Sequence, residues 1–135
     1  MSVSVEPGLE DYVAVAEFRS ALRRFLRRTE RIARTSGLTP QRYLLLLMIK
    51  GAADGSQRST VTELAERLQL AQSTVTELVG RAEEAGLIER RSSNTDARVA
   101  YLSLTAEGER RLGLSLSRLE TERSELRDAV MHLGL

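Results

Sequence analysis

The chain has 135 residues, a length typical of one domain, and a formal net charge of +1 from 20 basic and 19 acidic side chains. Because it contains no cysteine, disulfide bonds, thiolate metal ligands and cysteine-based redox sensing are excluded. A net charge this close to zero does not by itself indicate a nucleic-acid partner. The two Phe, three Tyr and no Trp argue against single-strand binding, which depends on aromatic stacking.

The N-terminal segment does not have the pattern of a secretion signal. Residues 1–8 are expected to be disordered, and Glu6, Glu10 and Asp11 stand where a signal peptide would carry basic and then apolar residues. The longest aliphatic run, Leu44–Ile49, is far shorter than the roughly 20 residues that span a bilayer. We therefore expect a cytoplasmic protein with no membrane partner.

Residues 9–36 predict one long amphipathic helix, which Gly37 ends. Its apolar stripe comprises Val15, Phe18, Ala21, Leu22, Phe25, Leu26, Ile32 and Ala33. Arginines occupy much of the remaining surface. Such a helix can lie on a membrane, but Glu17 and Glu30 dilute its charge, which favours a stripe that packs against a protein partner and a solvated arginine face.

The next helix is predicted to begin at Thr39-Pro40, with an N-cap and a proline in its first turn, and to run to about Lys50. After a loop, a capping box at Thr60-x-x-Glu63 opens a helix over residues 60–68. A turn over 69–71 leads to a second helix over 72–85, which Gly86 ends. Two strands over 87–91 and 99–104 then flank a polar loop, which indicates a β-hairpin.

After Thr105 the sequence predicts a final long helix with an apolar seam that Arg123 interrupts. Only 27 residues follow Gly108, enough for about 40 Å of helix, so a single long helix and a short second helix both remain possible. The predicted fold class is mainly α with a small β-hairpin wing, a winged helix-turn-helix in one domain over 9–135. Helices over 9–36 and 106–135 would dimerise, and 38–105 would form the DNA-binding lobe.

The helix over residues 72–85 is the second helix of the predicted helix-turn-helix. It is expected to lie in a major groove of DNA and to contact the base edges there. The candidate readers are the residues of its exposed N-terminal half: Gln72, Ser73, Thr74, Thr76, Glu77 and Arg81. Gln can bond to adenine, Thr methyls pack on thymine, and Arg contacts guanine or phosphate. Alternatively, Arg81 is a solvated side chain paired with Glu77 one turn earlier.

The hairpin is predicted to deliver Arg98 into a narrow minor groove, whose negative potential favours arginine. Arg90 and Arg91, at the base of the hairpin, are either phosphate contacts or ordinary solvated strand residues.

The segment LAERLQLAQSTVTELVGRAEEAGLIERRSSNTDARVAYLSLTAEG resembles the MarR family of bacterial transcriptional regulators. The residues over 38–45 look like that family's second helix, and the resemblance covers roughly residues 10–125. Its most specific parts are Asp96-x-Arg98 and Leu102-Ser103-Leu104-Thr105-x-x-Gly108.

The resemblance implies a homodimeric repressor that binds a pseudo-palindromic double-stranded DNA operator and is released by a small ligand. It also implies that Asp96 holds the Arg98 side chain in place, and that Arg81 occupies a basic position of the recognition helix. Such proteins often bind small aromatic acids, so Tyr12, Phe18, Arg42 and Tyr43 are candidates to line a pocket for an aromatic or anionic ligand. Alternatively, Phe18 lies in a dimer core and Tyr43 packs behind the DNA-binding unit.

Two residues depart from the family pattern. Ala71 stands where a helix-capping Ser is frequent, and Glu77 stands where Arg or Lys is frequent. A carboxylate at the groove repels phosphate unless it accepts a bond from cytosine. The alternative function is therefore a winged-helix protein-interaction module that has lost specific DNA binding. An enzyme is the weakest prediction, since His132 is the single histidine and no cofactor or metal site is indicated.

Overall fold

The computed structural model describes residues 6–96 and 98–134. Residues 1–5 of the segment predicted to be disordered lie outside the described residues, as do Ala97 and Leu135. Over the described ranges the chain forms six helices and one two-stranded antiparallel sheet. In chain order these are α1 (Leu9–Thr35), α2 (Pro40–Lys50), α3 (Val61–Leu68), α4 (Gln72–Glu84), β1 (Ile88–Ser92), β2 (Ala100–Leu104), α5 (Ala106–Ser117) and α6 (Glu120–Met131).

The helix starts and stops follow the capping residues of the sequence. The Thr39 hydroxyl accepts the backbone N–H of Arg42 at 3.2 Å and caps α2. Thr60 and Glu63 form the predicted capping box of α3, with hydrogen bonds of 3.2 and 2.9 Å. Gly37 follows α1 with φ +77°, a conformation that favours glycine. The predicted mainly helical winged helix-turn-helix fold is confirmed.

The sequence left two forms open for the C-terminal region, and the structure does not have the single long helix, because the helix is interrupted at Arg118-Leu119. The hydroxyls of Ser115 and Ser117 donate to the carbonyl oxygens of Arg111 and Leu114, at 3.1 and 2.9 Å. Such bonds back to the preceding turn bend helices, and Leu119 is fully buried beside the bend. The other possibility, a short second helix, is what the structure shows.

The bend keeps both C-terminal helices against α1. Arg28 and Arg24 of α1 form ion pairs of 3.2 and 3.9 Å with Glu122 and Glu125 of α6, so the two helices run antiparallel. One side of the C-terminal half of α1, at Thr29, Ile32 and Ala33, is buried within the chain.

The hairpin is anchored to the helical core by two features. The register pairs Ile88 with Leu104 and Ser92 with Ala100, and Ser59 exchanges two backbone hydrogen bonds with Leu102, of 3.0 and 2.8 Å. Leu102 is fully buried among the core side chains of α2, α3 and α4. The sheet thereby holds the wing in a fixed position beside α4.

The exit from β2 explains the Thr105-x-x-Gly108 pattern as a packing requirement. Thr105 donates to the carbonyl oxygen of Gly86 at 2.7 Å and accepts the backbone N–H of Gly108 at 3.1 Å. A Cβ on Gly108 would collide with the carbonyl oxygen of Leu87, so this close approach of α5 to the hairpin requires glycine.

None of the helices over the described ranges combines the length and the apolar character needed to cross a membrane.

Candidate nucleic-acid interface

The helix-turn-helix is built by burying one face of α4. Gln69, in the left-handed conformation with φ +56°, ends α3 and turns the chain towards α4. Val75, Val79 and Ala82 are fully buried at helical spacing, and Leu64 of α3 is buried with them. This packing fixes α4 and presents the opposite face of its N-terminal half to solvent.

All six residues predicted to read DNA lie on that solvent-facing side. Gln72, Ser73, Thr74, Thr76, Glu77 and Arg81 are each exposed. The side-chain amide of Gln72 donates to the Thr62 hydroxyl of α3 at 3.3 Å, so this residue also joins the two helices. Ala71 is the N-cap residue of α4, and its side chain cannot accept a hydrogen bond from the first backbone N–H groups of the helix.

Arg81 is paired with Glu77 in the structure. Its Nη2 atom lies 2.5 Å from Glu77 Oε1, and the two side chains are 60% and 62% exposed. This is the i, i+4 pair that the sequence left open as an alternative to DNA contact. An exposed pair of this kind is weak, so both side chains stay available to a partner.

The wing carries Arg98 at its tip. The carboxylate of Asp96 accepts the backbone N–H of Arg98 at 3.0 Å and bonds with Nε and Nη2 of the same residue, at 3.2 and 3.4 Å. These bonds hold the pKa of Asp96 below its usual value. The Arg98 side chain is nevertheless 91% exposed, so Asp96 orients the guanidinium without covering it.

The two arginines at the base of the wing point to different faces of the hairpin. Arg90 is opposite the buried Leu102 in register, and its Nη2 lies 2.8 Å from Glu83 of α4. Arg91 is on the other face, 3.5 Å from Glu89, with its side chain 79% exposed. Arg90 thus ties the wing to α4, and Arg91 is the freer of the two.

Each arginine predicted to contact DNA has an acidic partner within its own chain. The pairs are Arg81–Glu77, Arg90–Glu83, Arg91–Glu89 and Arg98–Asp96. The four arginine charges on this surface are therefore balanced by four carboxylate charges, just as the basic and acidic charges of the whole chain nearly cancel. Binding to phosphate would require these carboxylates to release or share their arginines.

Sequence reasoning missed one cation on the outer face of the wing. The Arg58 guanidinium carbon lies 4.2 Å from the ring centroid of Tyr101, a cation–π arrangement. Both residues line an open cleft of about 790 Å³ that reaches the wing loop at Ser93 and Asn94. Arg58 and Tyr101 are far apart in sequence and are brought together by the bridge between their neighbours Ser59 and Leu102, so no local pattern could have indicated the contact.

Of the four residues predicted to line a ligand pocket, Tyr43 lines an apolar cavity. Tyr43 is buried, and this burial raises the pKa of its hydroxyl. It lines an apolar cavity of about 260 Å³ between α1 and α2. Tyr12, Phe18 and Arg42 are not among the residues that line this cavity, and Tyr12 is 62% exposed near the start of α1.

A buried α3–α4 unit, an exposed N-terminal face on α4 and a hairpin with an arginine at its tip define a winged helix-turn-helix protein. A model of the MarR family matches residues 36–99 of the chain. The relatives that the chain resembles are named as transcription regulators, not as enzymes.

The chain is similar to individual members of the family. It is 40% identical over 73 residues to the HTH-type transcriptional repressor MdtR of Bacillus subtilis (strain 168), a region that is 54% of this chain and 44% of that relative. The chain thus aligns with less than half of the length of this relative.

Two solved structures extend the similarity beyond the DNA-binding lobe. A transcriptional regulator of Thermotoga maritima shares 26% identity, with a TM-score of 0.66 over 82% of this chain and 75% of that one. The M. tuberculosis transcriptional regulator MosR, solved in complex with DNA, shares 28% identity, with a TM-score of 0.60 over 80% of this chain and 75% of that one.

Proposed function

We propose that the protein is a homodimeric transcriptional repressor that binds a pseudo-palindromic double-stranded DNA operator. The face of α4 that includes Thr74 and Thr76 enters the major groove, and Arg98 enters the adjacent minor groove. The observation that carries this proposal is the geometry of the wing tip. An arginine whose side chain is 91% exposed, and which a neighbouring aspartate orients, suits insertion into a narrow groove of negative potential.

The exposed N-terminus of α4 supports the same placement. Backbone N–H groups at a helix start bind phosphate, and Ala71 offers no side chain that would compete for them. Ala71, which differs from the capping Ser frequent in the family, therefore weakens α4 slightly. It also leaves the positive N-terminal end of the helix accessible to phosphates of the DNA backbone.

Dimerisation is proposed from the uncovered N-terminal part of α1. Leu9, Tyr12 and Val13 are 78%, 62% and 50% exposed. The ion pairs of α1 with α6 involve Arg24 and Arg28, further along the helix. A second copy that packs on this apolar segment would bury it. The second copy would also provide a second recognition helix, which is needed to bind two half-sites about 34–36 Å apart.

In a repressor of this kind, a small ligand would release DNA by favouring a dimer geometry that no longer matches the half-site spacing. The similarity to a relative named as a repressor supports the direction of regulation. A protein-interaction module remains the second candidate, because every predicted DNA-contacting arginine has an acidic partner in the same chain.

Fluorescence anisotropy with labelled DNA from the region flanking the protein's own gene tests the proposal, with random DNA and several salt concentrations as references. We expect Arg98→Gln to weaken binding at least about tenfold, since charge-assisted contacts are the strong ones. The matched control is Arg19→Gln, which removes the same charge from an exposed site on α1. Equal affinity of wild type and Arg98→Gln would refute the wing insertion, and no binding even at low salt would favour the interaction module.

A further inference from the structure

A second basic site lies far along the chain from the wing, where α1 meets the bend between α5 and α6. The site is an open cleft of about 640 Å³. Its lining residues are Arg28, Arg31, Ile32, Arg34, Thr35 and Arg118. Four guanidinium groups thus border one cleft in a chain whose net charge is only +1.

Two elements bring these arginines together. Arg28, Arg31 and Thr35 recur at the spacing of one helix face, so α1 contributes one wall. Arg118 stands at the interruption between α5 and α6 and donates from Nη1 to the Thr35 hydroxyl at 2.9 Å. Thr35 in turn donates to the carbonyl oxygen of Ile32 at 2.7 Å. The bend therefore fixes Arg118 across the last turn of α1.

The charges of the cleft are largely uncompensated. Arg28 forms an ion pair of 3.2 Å with Glu122. Over residues 6–96 and 98–134, Arg31, Arg34 and Arg118 have no carboxylate within ion-pair distance, whereas each predicted DNA-contacting arginine has one. A cation near the C-terminus of α1 is favoured by the helix dipole, which accounts for Arg34. That effect does not account for Arg118, which lies at the interruption between α5 and α6.

We propose that this cleft, hereafter the arginine cleft, binds a small anion that carries at least two phosphate groups. The planar forks of arginine donate two parallel hydrogen bonds to a phosphate or carboxylate. Three uncompensated guanidiniums match a ligand with several negative charges, and phosphate groups supply them at the highest density. The volume falls in the range of small-molecule sites, so a nucleotide or another phosphorylated metabolite is of suitable size.

The regulatory consequence of this site rests on the proposed function. An anion in the arginine cleft would bridge α1 to the α5–α6 bend, since Arg31 belongs to one side and Arg118 to the other. The same α1 carries the apolar segment proposed for dimerisation. The ligand would thus bind to the helices that set the distance between the two DNA-binding lobes, and it is the class of effector that we assign to this protein.

Isothermal titration calorimetry without DNA tests the site, with inorganic tripolyphosphate and ATP as probes at near-physiological salt. We expect saturable binding of one anion per chain, weakened at least about tenfold by Arg118→Gln and by Arg31→Gln. Arg23→Gln is the matched control, because Arg23 is an exposed arginine of α1 outside the cleft. Arg31 has no side-chain hydrogen bond in the described part of the chain, so its substitution tests binding even where Arg118→Gln perturbs the bend.

Three outcomes would overturn the assignment. Absence of saturable binding would remove the site, and equal weakening by Arg23→Gln would reduce it to general charge screening. Citrate that binds as tightly as tripolyphosphate would show that the site does not select phosphate.

A second titration, of labelled DNA with and without tripolyphosphate, separates this inference from the proposed function. Anion binding by a protein that does not bind DNA would refute the proposed function and leave the site standing. A loss of DNA affinity in Arg118→Gln as large as that in Arg98→Gln would show instead that the cleft holds the DNA backbone, and would overturn the small-ligand assignment.

Discussion

The pair between Arg81 and Glu77 offers a direct test of how this surface meets DNA. In Glu77→Gln the carboxylate that lies 2.5 Å from Arg81 is removed while the size of the side chain is kept. An exposed i, i+4 pair contributes about 0.3–0.5 kcal/mol. Because the proposed homodimer would carry two such pairs, freeing both arginines should improve binding to random DNA by about 0.6–1 kcal/mol, or about 3–5-fold.

The salt dependence of DNA binding provides a second, independent measure of the effect of Glu77→Gln. If Arg81 of both protomers then neutralises a phosphate, the slope of log K against log salt should steepen by about 1.8, since each phosphate contact contributes about 0.9. Folding should change little, because the lost pair lowers the free energy of unfolding by only about 0.3–0.5 kcal/mol.

The assay is fluorescence anisotropy on random DNA and on flanking DNA at several salt concentrations, with the melting temperature followed by circular dichroism. Glu84→Gln is the control, since it removes the same charge from an exposed position at the end of α4. An unchanged affinity and slope would refute the placement of Arg81 at the DNA backbone. If the specific complex is lost while random DNA binds more tightly, Glu77 reads a base, and cytosine is the base that its carboxylate can accept from.

Three further predictions concern the fold. Gly108→Ala should destabilise the protein by about 1–3 kcal/mol in urea unfolding, because the new Cβ would collide with the Leu87 carbonyl oxygen. The control is Gly113→Ala, on the same helix with open space around it, which should stabilise the protein by up to about 1 kcal/mol. Equal effects of the two substitutions would contradict the packing argument. Ala71→Ser should add the missing cap of α4 and stabilise by about 0.5–2 kcal/mol, whereas no gain in the urea midpoint would mean that the hydroxyl does not reach the first turn. Hydrogen bonds from two arginines of α5 lower the pKa of Glu107 from 4.5 to about 2. Its contribution to stability is therefore complete above pH 4.5 and lost as the pH falls towards 2, and Glu107→Gln should flatten the stability profile in that window, which acid titration by circular dichroism would reveal.

Local chemistry made the outline of the fold readable from the sequence. Thr39-Pro40 and the Thr60-x-x-Glu63 box start helices where the structure has them, because a hydroxyl cap satisfies backbone N–H groups within a few residues. The alternation of buried and exposed positions on α4 followed from helical periodicity, so all six candidate readers were correctly predicted to face solvent. Pairs separated by two or four residues, such as Asp96 with Arg98 and Glu77 with Arg81, were also within reach of the sequence.

Contacts between distant segments were decided only by the tertiary structure. The bend at Arg118-Leu119 depends on hydroxyls that bond back to the preceding turn and on a leucine buried against other helices, neither of which the seam of leucines predicts. The stacking of Arg58 on Tyr101 and the convergence of Arg31 and Arg118 in one cleft likewise arise from chain segments that meet only after folding. Sequence periodicity determines which face of an element is apolar, whereas the packing of elements against one another determines which charged groups share a site.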